Sequence, residues 1–307
     1  MKNLKRYIKV AVVQFEPILF DKKACIDKII SLIEEASEKE PDLIVFPELS
    51  IPGYPLGLTF GYTVGKRGEL GRQDWKRYYD NSICIGDEDF KKISDAVKKS
   101  KSYVSIGVSE KDLNTATLYN TNFIFSQEGE LVSHHRKIKP TGSERLIWGD
   151  GDIGHFPTVD TKWGHIGCLI CWETYMPLAR MAMYEKGITI YISANTNDNP
   201  EWQSTIKHVA IEGHCYFINA DLFIRKRSYP TDLSLKSELD KLDEVLCRGG
   251  SCIIDPYGHE VSEPLWDKEG IIYNTLDMDK VISSRMEFDV CGHYDRKDLF
   301  NFYYYDK

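Results

Sequence analysis

The chain has no long hydrophobic run. Its apolar stretches fall short of the ~20 residues that a membrane-spanning helix needs, so no membrane-spanning protein is expected. The opening MKNLKRYIKVAVVQFEP has an apolar part shorter than the ~7–15 residues of a signal segment's core, and it runs straight into Gln14 and Glu16. It reads as a first strand. Basic clusters are scarce too. The net charge is -8 and the only dense basic run is His134 to Lys139, which argues against a nucleic-acid partner. No glycine-rich phosphate loop follows a strand, so no nucleotide is expected. His134, His135, His155, His165, His208, His214, His259 and His293 show no metal-ligand spacing. His208 and His214 share a predicted helix but fall on different faces of it. No metal and no cofactor are expected.

Eight cysteines scattered over 307 residues are not the dense framework of a small secreted domain. Reduced thiols and a cytoplasmic setting are expected. Cys168 and Cys171 form a single C-x-x-C with no second one, and Cys168 lies inside an apolar strand run, so neither zinc nor dithiol chemistry is favoured. No repeat recurs at ~20–50 residues, which excludes a solenoid, and no Gly/Ser/Pro linker divides the chain.

What is present is an alternation of strands and helices in an ordinary soluble composition, 42% hydrophobic and 28% charged. Strands are predicted at Ile8 to Phe15, Leu43 to Phe46, Tyr103 to Ser109, His165 to Ile170, Ile188 to Ser193, Tyr216 to Phe223, Gly250 to Asp255 and Ile271 to Leu276. The last two are joined through the turn Pro256-Tyr257-Gly258. Leu118 to Arg136 is a hairpin turning at Glu128 and Gly129. Helical spacing marks Asp21 to Lys39, Asp87 to Lys101, the stretch from Met176, and Trp202 to Cys215. Tyr54 to Ser82 has no clear period and is expected to be a long loop with short helical pieces. Arg225 to Cys247 reads as a polar excursion with a helical stretch around Leu235 to Leu246. The pattern gives one α/β domain over residues 1–307. At about 286–307 it ends in an aromatic tail that packs on something, a second subunit included.

Three predicted strand ends carry reactive groups. Pro47 ends a strand and leaves Glu48 at its C-terminal tip, where sites gather in helix-covered sheets. The hairpin delivers Lys137 into the irregular run KIKPTGSERLIWGDGD, which also holds Glu144 and Trp148. Cys171 lies at a strand-to-helix junction, a sharp turn of the kind that exposes a nucleophile to backbone N–H groups. A helix N-terminus or a nearby lysine lowers a thiol's pKa, whereas Glu173 raises it if its carboxylate points at the sulfur. Taken singly, each has an ordinary explanation: a core cysteine, a loop charge, a soluble loop. Together they are a base, a cation and a soft nucleophile.

At FPELSIPGYP, HRKIKPTGSERLIWGDGD and GCLICWETYMPLAR, in that order, the chain resembles the nitrilase superfamily, and the resemblance spans nearly its whole length. It implies an αββα sandwich that pairs into an αββα-αββα homodimer, in many nitrilases extended to helical filaments. It also implies a catalytic Glu48, Lys137 and Cys171, with Glu144 as a second glutamate holding Lys137 or water. Trp172-Glu173 after the cysteine, and FDVCGHYDRKDLF from Phe288 to Phe300, resemble the true nitrilase branch; Thr174 departs from its usual Asn. A small nitrile and water are the implied partners, hydrolysed to acid and ammonia. An amidase or a cyanide hydratase or dihydratase on the same scaffold is the alternative. Tyr54, Trp172 and Trp202 are expected to line the substrate pocket.

Overall fold

The structure is a computed structural model that describes residues 5–66, 68–152 and 156–305; His155 lies outside them. In chain order the elements are β1 (Tyr7–Gln14), α1 (Lys22–Ser37), β2 (Leu43–Val45), α2 (Glu69–Asp80), α3 (Glu88–Ser100), β3 (Tyr103–Lys111), β4 (Leu118–Phe125), β5 (Leu131–Arg136), β6 (Thr158–Thr161), β7 (Gly164–Ile170), α4 (Pro177–Glu185), β8 (Ile190–Asn195), α5 (Pro200–Gly213), β9 (Tyr216–Asp221), β10 (Phe223–Arg225), β11 (Val245–Ile254), β12 (Glu260–Trp266), β13 (Gly270–Asp277) and α6 (Asp279–Ser284).

One sheet runs in the order β13-β1-β2-β3-β4-β5, and the other runs β10-β11-β9-β8-β7-β6 with β12 beside β11. The alternation along the strands sorts their side chains into layers. From β1, Ile8, Val10 and Val12 meet Ile166, Cys168, Ile190 and Ile192 between the sheets. The intervening Ala11 and Val13 pack outward on Cys25, Ile29 and Ile33 of α1 and Ile93 and Val97 of α3. Behind the second sheet, Leu169, Tyr191 and Phe217 pack on Met183 of α4 and on Trp202, Ile206 and Val209 of α5. The three apolar layers make the expected αββα sandwich. Side chains at the helix starts help to fix the register. Asp21 accepts from the Ala24 N–H at 2.9 Å and Asp87 from the Phe90 N–H at 2.7 Å.

Five expectations change. The region Tyr54 to Ser82 contains a regular helix, α2, which buries only Gly71, Asp74 and Tyr78. A face this polar shows no apolar stripe, and ion pairs such as Lys76–Asp80 (2.5 Å) lace its surface. The helix expected around Leu235 to Leu246 is only a 3-10 turn at Lys236–Glu238. Nor does Arg225 to Cys247 leave the body of the protein. Tyr229, Leu233 and Leu239 fold into the core, and the Glu238 carboxylate accepts from the Thr59 N–H at 2.7 Å. Strand β12 was not expected. It lies between β11 and β13 in the chain, so the turn at Pro256 to Gly258 joins β11 to β12. Half-exposed and pairing with β11, it tolerates Pro264 and has weak patterning. Finally, Tyr216 to Phe223 breaks after Asp221 into β9 and β10.

The C-terminal segment packs on its own chain: Phe288 lies against His214, and Tyr304 meets the Phe156 ring edge-on. Phe300, Tyr303 and Tyr305 are exposed. No helix among the described residues is long and apolar enough to cross a membrane.

Candidate active site

Glu48 follows the tip of β2 and is fully buried. Gly107 on β3 lets it lie there. A Cβ at Gly107 would stand 2.5 Å from the Pro47 carbonyl oxygen and 2.6 Å from the Glu48 Cα, closer than packed atoms allow. The Glu48 Oε1 accepts from Asn120 Nδ2 at 2.7 Å and from Lys137 Nζ at 2.9 Å. Its Oε2 is buried and has no partner.

Lys137 comes directly off β5. Its backbone N–H donates to the Asn120 carbonyl at 2.7 Å, and its own carbonyl accepts from the Gly151 N–H at 2.9 Å. The side chain is also buried, and Nζ reaches both oxygens of Glu144 at 3.1 and 2.9 Å. Glu144 stands on a 3-10 turn, Gly142–Leu146, where Oε2 accepts from the Thr141 N–H at 2.7 Å and Oε1 from the Tyr54 hydroxyl at 2.7 Å. The result is one ammonium between two carboxylates in a dry place. Burial pushes the Glu48 carboxyl up; Lys137 opposes that shift and Glu144 adds to it. Burial works against the Lys137 ammonium, but Glu48, Cys171 and Glu144 outweigh it and hold the amine charged.

Cys171, the residue after β7, has φ of +52°, a left-handed conformation that costs a non-glycine residue ~1–2 kcal/mol. It is 5% exposed. The strand does not run straight into an α-helix, as the sequence suggested. A 3-10 turn, Cys171–Tyr175, intervenes, and α4 begins only at Pro177. The thiol's pKa is governed by burial and by the charges around it. Burial and the Glu48 carboxylate raise it well above the ordinary thiol value, and Lys137 pulls it back. Glu48, whose Oε2 has no partner, is thus among the charged groups that act on the sulfur.

Of the expected lining residues, Tyr54 is tied to Glu144 and its ring lies 5.8 Å from that of Trp148. Trp172 is 47% exposed next to the nucleophile turn, edge-on to Tyr175. Trp202, on α5, is fully buried, with its indole N–H donating to Asn219 Oδ1 at 2.9 Å and its ring edge-on to Tyr175 of the nucleophile turn. Thr174 is also buried, with its hydroxyl 3.3 Å from Ser193 Oγ and accepting from the Tyr191 hydroxyl at 3.2 Å. Phe288 to Phe300 packs against the far ends of α4 and α5, where Val290 and Cys291 join the outer core. All eight cysteines are free, with Cys168 in the layer between the sheets. His208 is exposed beside Glu212, whereas His214 is buried beyond the end of α5.

Sequence reasoning missed Asn120, which orients Glu48. The available signal was a polar residue on a buried strand, opposite Lys137 across the hairpin. For Glu173 it offered only a conditional effect on the sulfur. That carboxylate turns away from the sulfur, accepting from the Ile170 N–H at 2.6 Å and the Ile138 N–H at 2.5 Å.

Residues 9–286 match the family model described as carbon-nitrogen hydrolase. The chain is 40% identical over 292 residues to an aliphatic nitrilase of Sinorhizobium fredii, covering 95% of this chain and 94% of the relative. It is 37% identical over 298 residues to nitrilase 3 of Arabidopsis thaliana, covering 96% and 86%. With a bifunctional nitrilase/nitrile hydratase of Nicotiana tabacum it shares 38% over 296 residues, covering 95% and 84%. Among solved structures, a branch 10 member of the nitrilase superfamily from Saccharomyces cerevisiae superposes with a TM-score of 0.73 at 22% identity, covering 96% of this chain and 99% of that one. At these identities the solved structures speak for the sandwich, and the sequence relatives speak for the kinship. The chain belongs to the carbon-nitrogen hydrolase family and is a hydrolase acting on carbon–nitrogen bonds.

Proposed function

We propose that the protein is a nitrilase, converting a small nitrile and two waters to a carboxylic acid and ammonia, with Glu48, Lys137, Cys171 and Glu144 as its working residues. The observation that carries the reading is the unpartnered, buried Oε2 of Glu48 in a cluster whose charges act on Cys171. Its raised pKa makes Glu48 a stronger base than an exposed carboxylate, matched to a reluctant thiol.

The steps follow from that pairing. Glu48 Oε2 takes the thiol proton as Sγ forms its bond to the nitrile carbon, and that proton passes to the nitrile nitrogen to give a thioimidate. Lys137 and the Trp172 backbone N–H stabilise charge on the nitrogen and, later, on oxygen. Water, deprotonated by Glu48, adds to the carbon. Glu48 passes that proton to the nitrogen, the proton of the added hydroxyl follows it as the carbonyl forms, and the C–N bond breaks to release ammonia and leave a thioester. A second water, activated in the same way, breaks the C–S bond, releases the acid and returns the proton to sulfur. Glu144, clamped by Thr141 and Tyr54, keeps the Lys137 ammonium aimed at the site.

Tyr54 and the exposed Trp172 are proposed to border the substrate. We further propose one catalytic domain with a short C-terminal tail, a cytoplasmic location and a homodimer-based assembly that includes filaments. Exposed Trp172, Tyr175, Met176 and Leu178 beside the nucleophile turn support contact with a second copy. The test is a panel of aliphatic, aromatic and arylaceto nitriles with ammonia, acid and amide all quantified. Acid with equimolar ammonia from at least one nitrile is expected. Turnover of amides alone, or amide as the sole product, would replace this reading with the amidase or hydratase one.

A further inference from the structure

Glu173 is 1% exposed, and each of its carboxylate oxygens is engaged by a backbone N–H. Oε2 takes the Ile170 N–H at 2.6 Å and lies 3.0 Å from His135 Nε2; Oε1 takes the Ile138 N–H at 2.5 Å. Ile170 precedes Cys171, and Ile138 follows Lys137. The strands that lead to the two reactive residues, β7 and β5, belong to different sheets and share no ladder. One buried side chain therefore spans the two halves of the sandwich at the point where the nucleophile and the ammonium must meet.

We propose that Glu173 is a positioning residue that sets the separation of Cys171 Sγ and Lys137 Nζ and holds the left-handed turn at Cys171. The inference rests on the reading of Cys171 as the nucleophile. Two features make a carboxylate specific to this task. It offers acceptors on both sides, as two opposed N–H donors require, and its reach from residue 173 back to 170 closes the turn on itself. A strained backbone persists only where neighbouring contacts over-determine it, and this carboxylate is such a contact.

The test is Glu173→Gln. The amide keeps the size but turns an NH2 group towards one of the two backbone donors. A roughly 100-fold fall in kcat is expected, with KM within threefold, since a misplaced nucleophile costs rate more than binding. Independently of any substrate, alkylation of Cys171 by iodoacetamide is followed against pH in the wild type and the variant. As Lys137 moves out of place, its midpoint should shift upward and its rate at pH 7.5 fall about tenfold. Glu173→Asp keeps both acceptors on a shorter arm, so its values should lie between the two. A folded Gln variant with kcat and alkylation within threefold of wild type overturns the proposal. So does a loss of kcat with an unchanged alkylation profile, which marks a purely structural role. If the Gln variant does not fold, the same criteria apply to the Asp variant. If the wild type turns over no nitrile, the nitrilase reading fails while the alkylation arm still decides the role of Glu173.

Discussion

Two buried glutamates in the same sheet region have opposite chemistry. Glu110, on β3, has every oxygen engaged. Arg136 donates to Oε1 at 2.5 Å and to Oε2 at 3.0 Å, and Oε2 also accepts from the Thr121 hydroxyl at 2.8 Å with His134 Nε2 at 2.8 Å. Burial alone would raise its pKa, but bonds from His134 and Arg136 bring it down to about 2. Glu48 shares one lysine with a second carboxylate, leaves an oxygen without a partner, and has its pKa pushed up. Saturation makes a carboxylate structural; withholding a partner makes it a base.

The contrast is broken most severely at the reactive site. Cys171→Ala should leave no measurable ammonia release, and Glu48→Gln should lower kcat by ~10²–10⁴-fold, with circular dichroism unchanged in both. A Glu48→Gln protein within tenfold of wild type would remove the base from the scheme. Next comes Asn120→Ala, which takes a donor from a charged acceptor. Such bonds contribute ~1.5–3 kcal/mol, so a loss of ~10–100-fold in kcat is expected in steady-state assays. No change would make Asn120 a bystander.

At Glu110 the loss should appear in stability instead. Its folded pKa lies below the unfolded value of 4.5, so its contribution is complete above pH 4.5 and disappears as the pH falls towards 2. Glu110→Gln should therefore cost about 3 kcal/mol in urea unfolding at pH 7, far less at pH 2.5, and leave kcat unaltered. An equal cost at both pH values would show that the ion pairs are not its source. The smallest effect is expected at Tyr54→Phe. Glu144 loses one bond of 2.7 Å but keeps Lys137 and the Thr141 N–H, so kcat should fall only about fivefold, the equivalent of ~1 kcal/mol.

Much of the fold was legible in the sequence because burial imposes a period. β1 alternates between two apolar layers, and α1 and α3 carry an apolar stripe and an aspartate cap, so each was recognisable locally. Where burial is slight the pattern fades, and α2 and β12 were missed for that reason. Leu235, Leu239 and Leu242 misled in the other direction. Their apolar spacing belongs to a loop pinned against residues 57–61, which no local period encodes. Within the site, Glu48, Lys137, Glu144 and Cys171 were named from strand tips and motifs, and the structure joins them through bonds or mutual charge. Trp202 was offered on residue type alone, and a large indole with a polar N–H suits a core as well as a pocket.

Residue order alone determined which groups stand at the strand ends, because alternating apolar runs and the breakers that close them are local properties. The state of those groups was a tertiary decision. A thiol whose pKa is pushed up, a carboxylate with an unpartnered oxygen and a lysine shared by two acids depend on which charges are brought together and how far water is excluded from them. The strand order of one sheet brings together residues as far apart in the chain as Glu48 and Lys137, and the packing of the second sheet adds Cys171.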